Sequence, residues 1–161
     1  MGAFVATRVS RSGTFKCRTD VKRAFALFTP EGEKQWAAHW SFEPVYPVGA
    51  PTSENDVFRT GASDHSEGPS VWIVSRYSPE QQEIEYQRVD PGIKVGRIRV
   101  QCRPTGDQRA EVRVEYVYTA LSEVGNAFVG RFSDDEFTSM LSHWSNAIDH
   151  FLATGQQLPH P

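Results

Sequence analysis

Residues able to move protons, act as nucleophiles or hold a metal are few and scattered along this 161-residue chain. Its five histidines are His39, His65, His143, His150 and His160, and its two cysteines are Cys17 and Cys102. Neither HExxH nor CxxC occurs, and His143 and His150 stand seven residues apart. That is ~10 Å along a helix axis, too far to share one ion. No metal site and no bound cofactor are therefore expected. Cys17 and Cys102 both fall in segments that read as strands, where a free thiol ordinarily serves packing. Asp134, Asp135 and Glu136 follow Ser133 in the Ser-x-x-Glu pattern of a capping box, so a helix start explains this acidic run without a metal. GxGxxG, GxxxxGK[ST] and GxSxG are absent, which argues against a nucleotide-phosphate loop and a serine-hydrolase elbow.

The stretch FALFTPEGEKQWAAHW concentrates aromatic residues, with Trp36 and Trp40 on either side of His39. Thr29-Pro30 reads as a helix start, threonine at the cap and proline in the first turn, where its missing N–H costs nothing. No C-cap stands beyond Ala38, so Trp40 is expected past the helix end. Trp36 is expected to plug one end of the fold and Trp40 to be the more accessible indole.

The elements that must position these residues follow from periodicity. Residues 4–17 read as a strand with Gly13 as a bulge. Val21, Ala24, Phe25 and Phe28 recur at helical spacing behind Thr19 or Asp20 as cap. Residues 40–70 are loop-rich, with strand-like pieces at 42–46 and 56–61. SVWIVSRYS, QQEIEYQRV, GIKVGRIRVQCRP and AEVRVEYVYTA then form an antiparallel meander separated by Ser-Pro-Glu, Asp-Pro-Gly and Pro-Thr-Gly-Asp turns. Alternation sends Ile98, Val100 and Cys102 to one face and Arg97, Arg99 and Arg103 to the other, with Val112, Val114, Tyr116 and Tyr118 opposite Glu111, Arg113 and Glu115. After an irregular lead-in broken by Gly125 and Gly130, Phe137, Met140, Leu141, Trp144, Ile148, Phe151 and Leu152 mark a helix of about twenty residues ending at Gly155.

Hydrophobic residues make up 39% and charged residues 23% of the chain, and the net charge is −3. These values fit one globular domain over residues 1–155 with a polar tail at 156–161, and no nucleic-acid partner. No stretch approaches the ~20 apolar residues of a membrane span, and the N-terminus lacks a secretory core, so a cytoplasmic protein is expected.

RAFALFTPEGEKQWAAHW, YSPEQQEIEYQRVDPG and ALSEVGNAFVGRFSDDEF resemble the START/Bet v 1-like (SRPBCC, helix-grip) superfamily, above all its bacterial polyketide cyclase/dehydrase-like and lipid-transport-like members. The resemblance implies an α+β helix-grip fold, a curved antiparallel sheet wrapped around a long C-terminal helix with two short helices after the first strand. It also implies an internal cavity for a small hydrophobic or amphipathic molecule. Tyr86, Ile98, Val100, Val114, Tyr116 and Tyr118 would line it from the sheet, Met140, Trp144 and Ile148 from the helix, and Trp36 and Trp40 at its mouth. Each is equally a core residue, but three inward tyrosine hydroxyls need partners, which a solvated or liganded cavity supplies.

A cyclase or dehydratase in the same cavity would need proton-transfer groups, with His143 as acid or base and Tyr86 or Arg88 polarising a carbonyl. The plainer readings are a surface His143 and outward Arg76 and Arg88 paired with Glu83 and Glu85. A co-chaperone-like interaction module would use the outer sheet face, where the arginines leave no apolar docking patch. An exposed sheet edge would support a homodimer.

Overall fold

In chain order the elements are β1 (Arg8–Cys17), α1 (Val21–Ala26), α2 (Pro30–Trp36), β2 (Glu43–Tyr46), β3 (Val57–Thr60), β4 (Ser70–Ser78), β5 (Glu83–Asp90), β6 (Lys94–Gly106), β7 (Arg109–Ala120), α3 (Glu123–Arg131) and α4 (Asp134–Thr154). The computed structural model describes residues 2–62 and 68–159; His65 and His160 lie outside the described residues. All seven strands join one curved antiparallel sheet in the order β1-β7-β6-β5-β4-β3-β2. The chain crosses from one sheet edge to the other through α1 and α2, then returns strand by strand, so the two short helices close one end of the grip.

The inward rows of β5, β6 and β7 bury Ile84, Tyr86, Ile98, Val100, Cys102, Val112, Val114, Tyr116 and Tyr118 beneath Phe137, Leu141, Ala147 and Ile148 of α4. Each large apolar side chain taken fully from water contributes ~1.5–3 kcal/mol, so this stripe, rather than helix propensity, holds α4 in the sheet. Its ends fall where the sequence places them. The Ser133 hydroxyl accepts the Glu136 amide at 3.1 Å, and Gly155 closes the helix in the left-handed region at φ 74°. Outward, Arg97 meets Glu115 at 2.6 Å, Arg99 meets Glu83 at 2.6 Å and Arg103 meets Glu111 at 2.9 Å.

Three local expectations are corrected. β1 pairs with β7 without interruption from Arg8 opposite Thr119 to Cys17 opposite Ala110, so Gly13 is not a bulge. An added Cβ there would stand 2.7 Å from Leu141 Cδ1, and the glycine lets α4 approach the strand. The lead-in to α4 is a regular helix, α3, whose Gly125 lies so close to the turn between β5 and β6 that a Cβ would meet the Ile93 carbonyl oxygen at 1.9 Å. The outer sheet face is charged over β5 to β7, but β4 exposes Val71 and Ile73. The apolar component missing from the arginine-bearing strands is thus present on their neighbour.

Candidate functional site

Strand alternation on β5 turns Ile84, Tyr86, Arg88 and Asp90 to the same buried face. Arg88 is therefore not the outward partner of Glu83 or Glu85: two residues beyond Tyr86, it must share the face of Tyr86. Glu83 is held from outside instead, by Arg99 and by the exposed Arg76 at 3.6 Å. Arg88, only 5% exposed, donates from Nε to Asp90 Oδ1 at 3.0 Å and from a terminal nitrogen to Ser70 Oγ at 3.3 Å, with its guanidinium 4.9 Å from the Trp72 ring centre.

The chain reverses after Asp90, and Lys94 at the start of β6 swings back to place Nζ 2.5 Å from Asp90 Oδ2 and 3.9 Å from the Phe128 ring centre. The Ser70 hydroxyl also donates to Asp90 Oδ1. Burial works against a charged Asp90, but the Arg88 charge and the hydrogen bonds from Lys94 and Ser70 outweigh it and hold its pKa below the ordinary value. This knot ties β4, β5, β6 and α3 together. Tyr118, fully buried beside it, has a hydroxyl with no hydrogen bond of good geometry; burial pushes its pKa up to about 12 although nearby Arg88 draws it down.

A second polar grouping lies toward α2. Trp36, 3% exposed, donates from Nε1 to the Leu27 carbonyl at 2.8 Å, which fixes α2 against α1. Its ring stands 5.7 Å from Trp144 and 5.9 Å from Phe28; Trp144 in turn lies 6.3 Å from both Phe28 and Tyr116. Glu33, three residues before Trp36, shares its helix face.

Glu33 is half-buried as a residue, and burial raises its carboxyl pKa to about 8. Its charge reaches Tyr86 and Tyr116, whose own pKa values burial already lifts well above the ordinary phenol. The Tyr86 hydroxyl is committed, donating to the Phe28 carbonyl at 2.7 Å. The buried side-chain oxygens without a hydrogen-bond partner among the described residues are the Tyr118 hydroxyl and Asp149 Oδ1; the Tyr116 hydroxyl and the Glu33 carboxyl are not among them.

The structure thus brings Trp36, Tyr116 and Trp144 to one aromatic wall with Phe28, while the Tyr86 ring packs on Phe58 and Trp72 and meets Phe28 only through its hydroxyl. Tyr118 adjoins it, its ring 5.6 Å from Tyr116. Ile98, Val100, Val114 and Ile148 are closed core, and Met140 is partly buried against it. Trp40 lies beyond α2, half-buried against Phe42, Phe58 and Trp72, with Nε1 donating to the Pro30 carbonyl at 2.9 Å. His143 is exposed on the outer side of α4, away from these groups, and His39 is exposed.

Sequence reasoning missed Glu33, Asp90 and Lys94. The signal for Glu33 was its place between Pro30 and Trp36 on a three-residue spacing. For the other two it was a carboxylate and an amine flanking one turn. No three His, Cys, Asp or Glu side chains among the described residues are grouped to hold a metal, and no described helix is long and apolar enough to cross a membrane.

Two clefts flank the aromatic wall. One of about 300 Å³ runs along the seam of β1 and α4, lined by Gly13, Phe15, Phe137 and Leu141. Phe15 meets Phe28 edge-on at 6.3 Å, so this seam ends against the wall. The other, about 500 Å³, opens beside Phe25, Ala26, Thr29, Pro51 and Tyr77, on the far side of α1 and the start of α2.

The sequence matches no protein-family model and no curated protein. Solved structures do match. Norcoclaurine synthase from Thalictrum flavum aligns over 92% of this chain and 88% of its own at a TM-score of 0.66 and 9% identity. Major latex-like protein 151 from Panax ginseng aligns over 89% and 96% at 0.65 and 12%. The di-domain aromatase/cyclase BexL of the BE-7585A biosynthetic pathway aligns over 89% of this chain and 47% of its own at 0.67 and 13%. At such identities the likeness is one of backbone architecture, and it is consistent: the chain has the START/Bet v 1-like helix-grip fold.

Proposed function

We propose that this protein binds a small hydrophobic or amphipathic molecule between the sheet and α4, against the wall formed by Phe28, Trp36, Tyr116 and Trp144. The observation that carries this reading is the Tyr118 hydroxyl, a buried polar atom with no hydrogen-bond partner of good geometry among the described residues, on a ring 5.6 Å from Tyr116 in that wall. Enclosed polar groups are ordinarily hydrogen-bonded, and a group left open in an aromatic wall suits a bound molecule's polar end. The rings already touch one another, so binding requires α2 to part from α4 at the Trp36–Trp144 contact. Extraction of purified protein followed by mass spectrometry identifies any molecule retained. Quenching of tryptophan fluorescence by an apolar probe, weakened at least tenfold by Trp144→Ala and unaffected by His143→Ala, supports the site. Probe binding indifferent to Trp144→Ala and Tyr116→Phe refutes it.

A cyclase or dehydratase reading is favoured by one observation, the Glu33 carboxyl with its pKa raised to about 8 and its charge acting on Tyr116. Such a carboxyl exchanges protons near neutral pH, as a general acid or base must. Glu33 and Tyr116 would then take the proton-transfer roles, since His143 is exposed, the Tyr86 hydroxyl is bound to Phe28 and Arg88 is bound to Asp90. Exchange of α-hydrogens of a bound ketone for deuterium, lost in Glu33→Gln, tests this reading.

A further inference from the structure

The cleft of about 500 Å³ on the far side of α1 belongs neither to the aromatic wall nor to the knot at Asp90. Its floor is Phe25 of α1, 5% exposed and stacked on Tyr77 of β4 at 5.8 Å with the rings 20° from parallel. Pro51 from the β2–β3 loop and Pro79 from the β4–β5 turn complete an apolar lining.

These walls are fixed by their own hydrogen bonds. The Gln82 side-chain amide donates to the Pro79 carbonyl at 2.9 Å and holds that turn. The β2–β3 loop is tied to β4 twice, by the Asn55 amide on the Val74 carbonyl at 2.7 Å and by the Tyr77 amide on Glu54 Oε1 at 3.2 Å. On the helix side, Trp36 Nε1 on the Leu27 carbonyl keeps α1 against α2. An apolar cleft of this size with walls already held has the form of a small-molecule site, and little is left to order on binding.

Two charged side chains line the cleft, Lys22 and Glu31. Glu31 is compensated by Lys34 at 3.4 Å. Lys22 is exposed and makes no ion pair among the described residues; Asp20, the acid two residues before it, is committed as the cap of α1, accepting the Arg23 amide at 3.0 Å. An uncompensated ammonium group beside a cleft of ring and proline faces is complementary to an anion on a flat apolar body. A cationic ligand would meet repulsion from Lys22, and a neutral one would leave its charge unused. One ammonium balances one negative charge, so a carboxylate suits the cleft better than a phosphate monoester, whose charge approaches two.

We propose that this cleft is a second ligand site, independent of the one between the sheet and α4, and that it takes an aromatic carboxylate, with the ring against Phe25 and the prolines and the carboxylate paired with Lys22. The pair lies in solvent, so it selects among ligands by a modest factor that salt reduces, while the apolar body supplies most of the affinity.

The test titrates 2-naphthylacetate and its neutral counterpart 2-(2-naphthyl)ethanol into the wild-type chain at pH 7 by calorimetry, at low salt and at about 0.5 M salt. Expected is binding of both, the acid about fivefold tighter at low salt, with the preference fading at high salt. In Lys22→Gln the preference vanishes and the alcohol binds as before. In Ala26→Trp, which fills the cleft from an exposed position of α1, both probes are lost. Equal binding of the two probes to the wild type, or a preference that survives Lys22→Gln, overturns the carboxylate assignment. Binding that survives Ala26→Trp overturns the cleft as the site, as does failure of both probes to bind. Should Ala26→Trp not fold, Thr52→Trp fills the same cleft from the β2–β3 loop and decides in its place. None of these substitutions lies in the wall of Phe28, Trp36, Tyr116 and Trp144, so the tryptophan-quenching result for that wall stands or falls separately.

Discussion

Replacing Glu33 by glutamine isolates the cost of keeping a half-buried acid on α2. The ordinary carboxyl value of 4.5 rises to about 8 in the folded chain because burial disfavours the ion. Below pH ~4.5 the group is protonated folded and unfolded alike and its titration has no effect. As pH rises further, the unfolded chain ionises while the folded one resists, so stability falls progressively until about pH 8. The interval spans about three and a half pH units at ~1.4 kcal/mol each, a ceiling of ~5 kcal/mol. Glu33 is half-buried as a residue, and water reaching it through that exposed part lowers the expected effect to ~1–3 kcal/mol.

Glutamine keeps the shape and cannot ionise, so every other titration cancels in the difference between the two proteins. Urea unfolding at pH 5, 6.5 and 8 should show the stability of Glu33→Gln relative to wild type rising by ~1–3 kcal/mol across that range. Parallel pH profiles would mean that the carboxyl is solvated, and the proton-transfer reading built on it would lose its support.

Asp90→Asn leaves Arg88 and Lys94 buried without the carboxylate they share, and urea unfolding should register a loss of ~3 kcal/mol or more; a loss under ~1 kcal/mol would show that the knot does not hold β5 and β6 together. Gly125→Ala forces a Cβ into the Ile93 carbonyl and should cost ~2 kcal/mol or more, whereas Gly130→Ala on the same helix, with open space around it, should gain up to ~1 kcal/mol. Equal effects at the two glycines would refute the close approach of α3 to the turn between β5 and β6. Cys17 and Cys102 are buried, with thiol pKa values pushed up to about 12, so a thiol reagent at pH 8 should label neither in the native protein and both in urea. Native labelling at the rate of a free peptide would contradict that burial.

The helix-grip layout was legible because its elements obey strong local rules. The Ser133 cap, the Gly155 stop and the alternation of β6 and β7 each have one cheap solution, and the structure adopts it. Close approach was not legible: Gly13 and Gly125 look like breakers in one dimension, and only the packing partner, Leu141 or Ile93, shows why a side chain is excluded. Arg88 shows a different failure. Its parity with Tyr86 already placed it inward, yet a cation's preference for water argued the other way. The preference lost because Asp90, two residues further on the same face, travels in with it, and Lys94 and Ser70 complete the set.

Glu33 tests how far that logic extends. On α2 the buried positions Pro30 and Trp36 bracket it at three-residue spacing, so the helix cannot bury Trp36 against Trp144 without turning Glu33 toward the same interior. Unlike Arg88, it carries no described partner with it. A charged residue drawn inward by its neighbours and compensated, as at Asp90, is explained by the fold. One drawn inward and left uncompensated costs stability that a surface-facing alternative on the same helix would spare. This asymmetry separates Asp90, a buried acid held by Arg88, Lys94 and Ser70, from Glu33, a half-buried acid on α2.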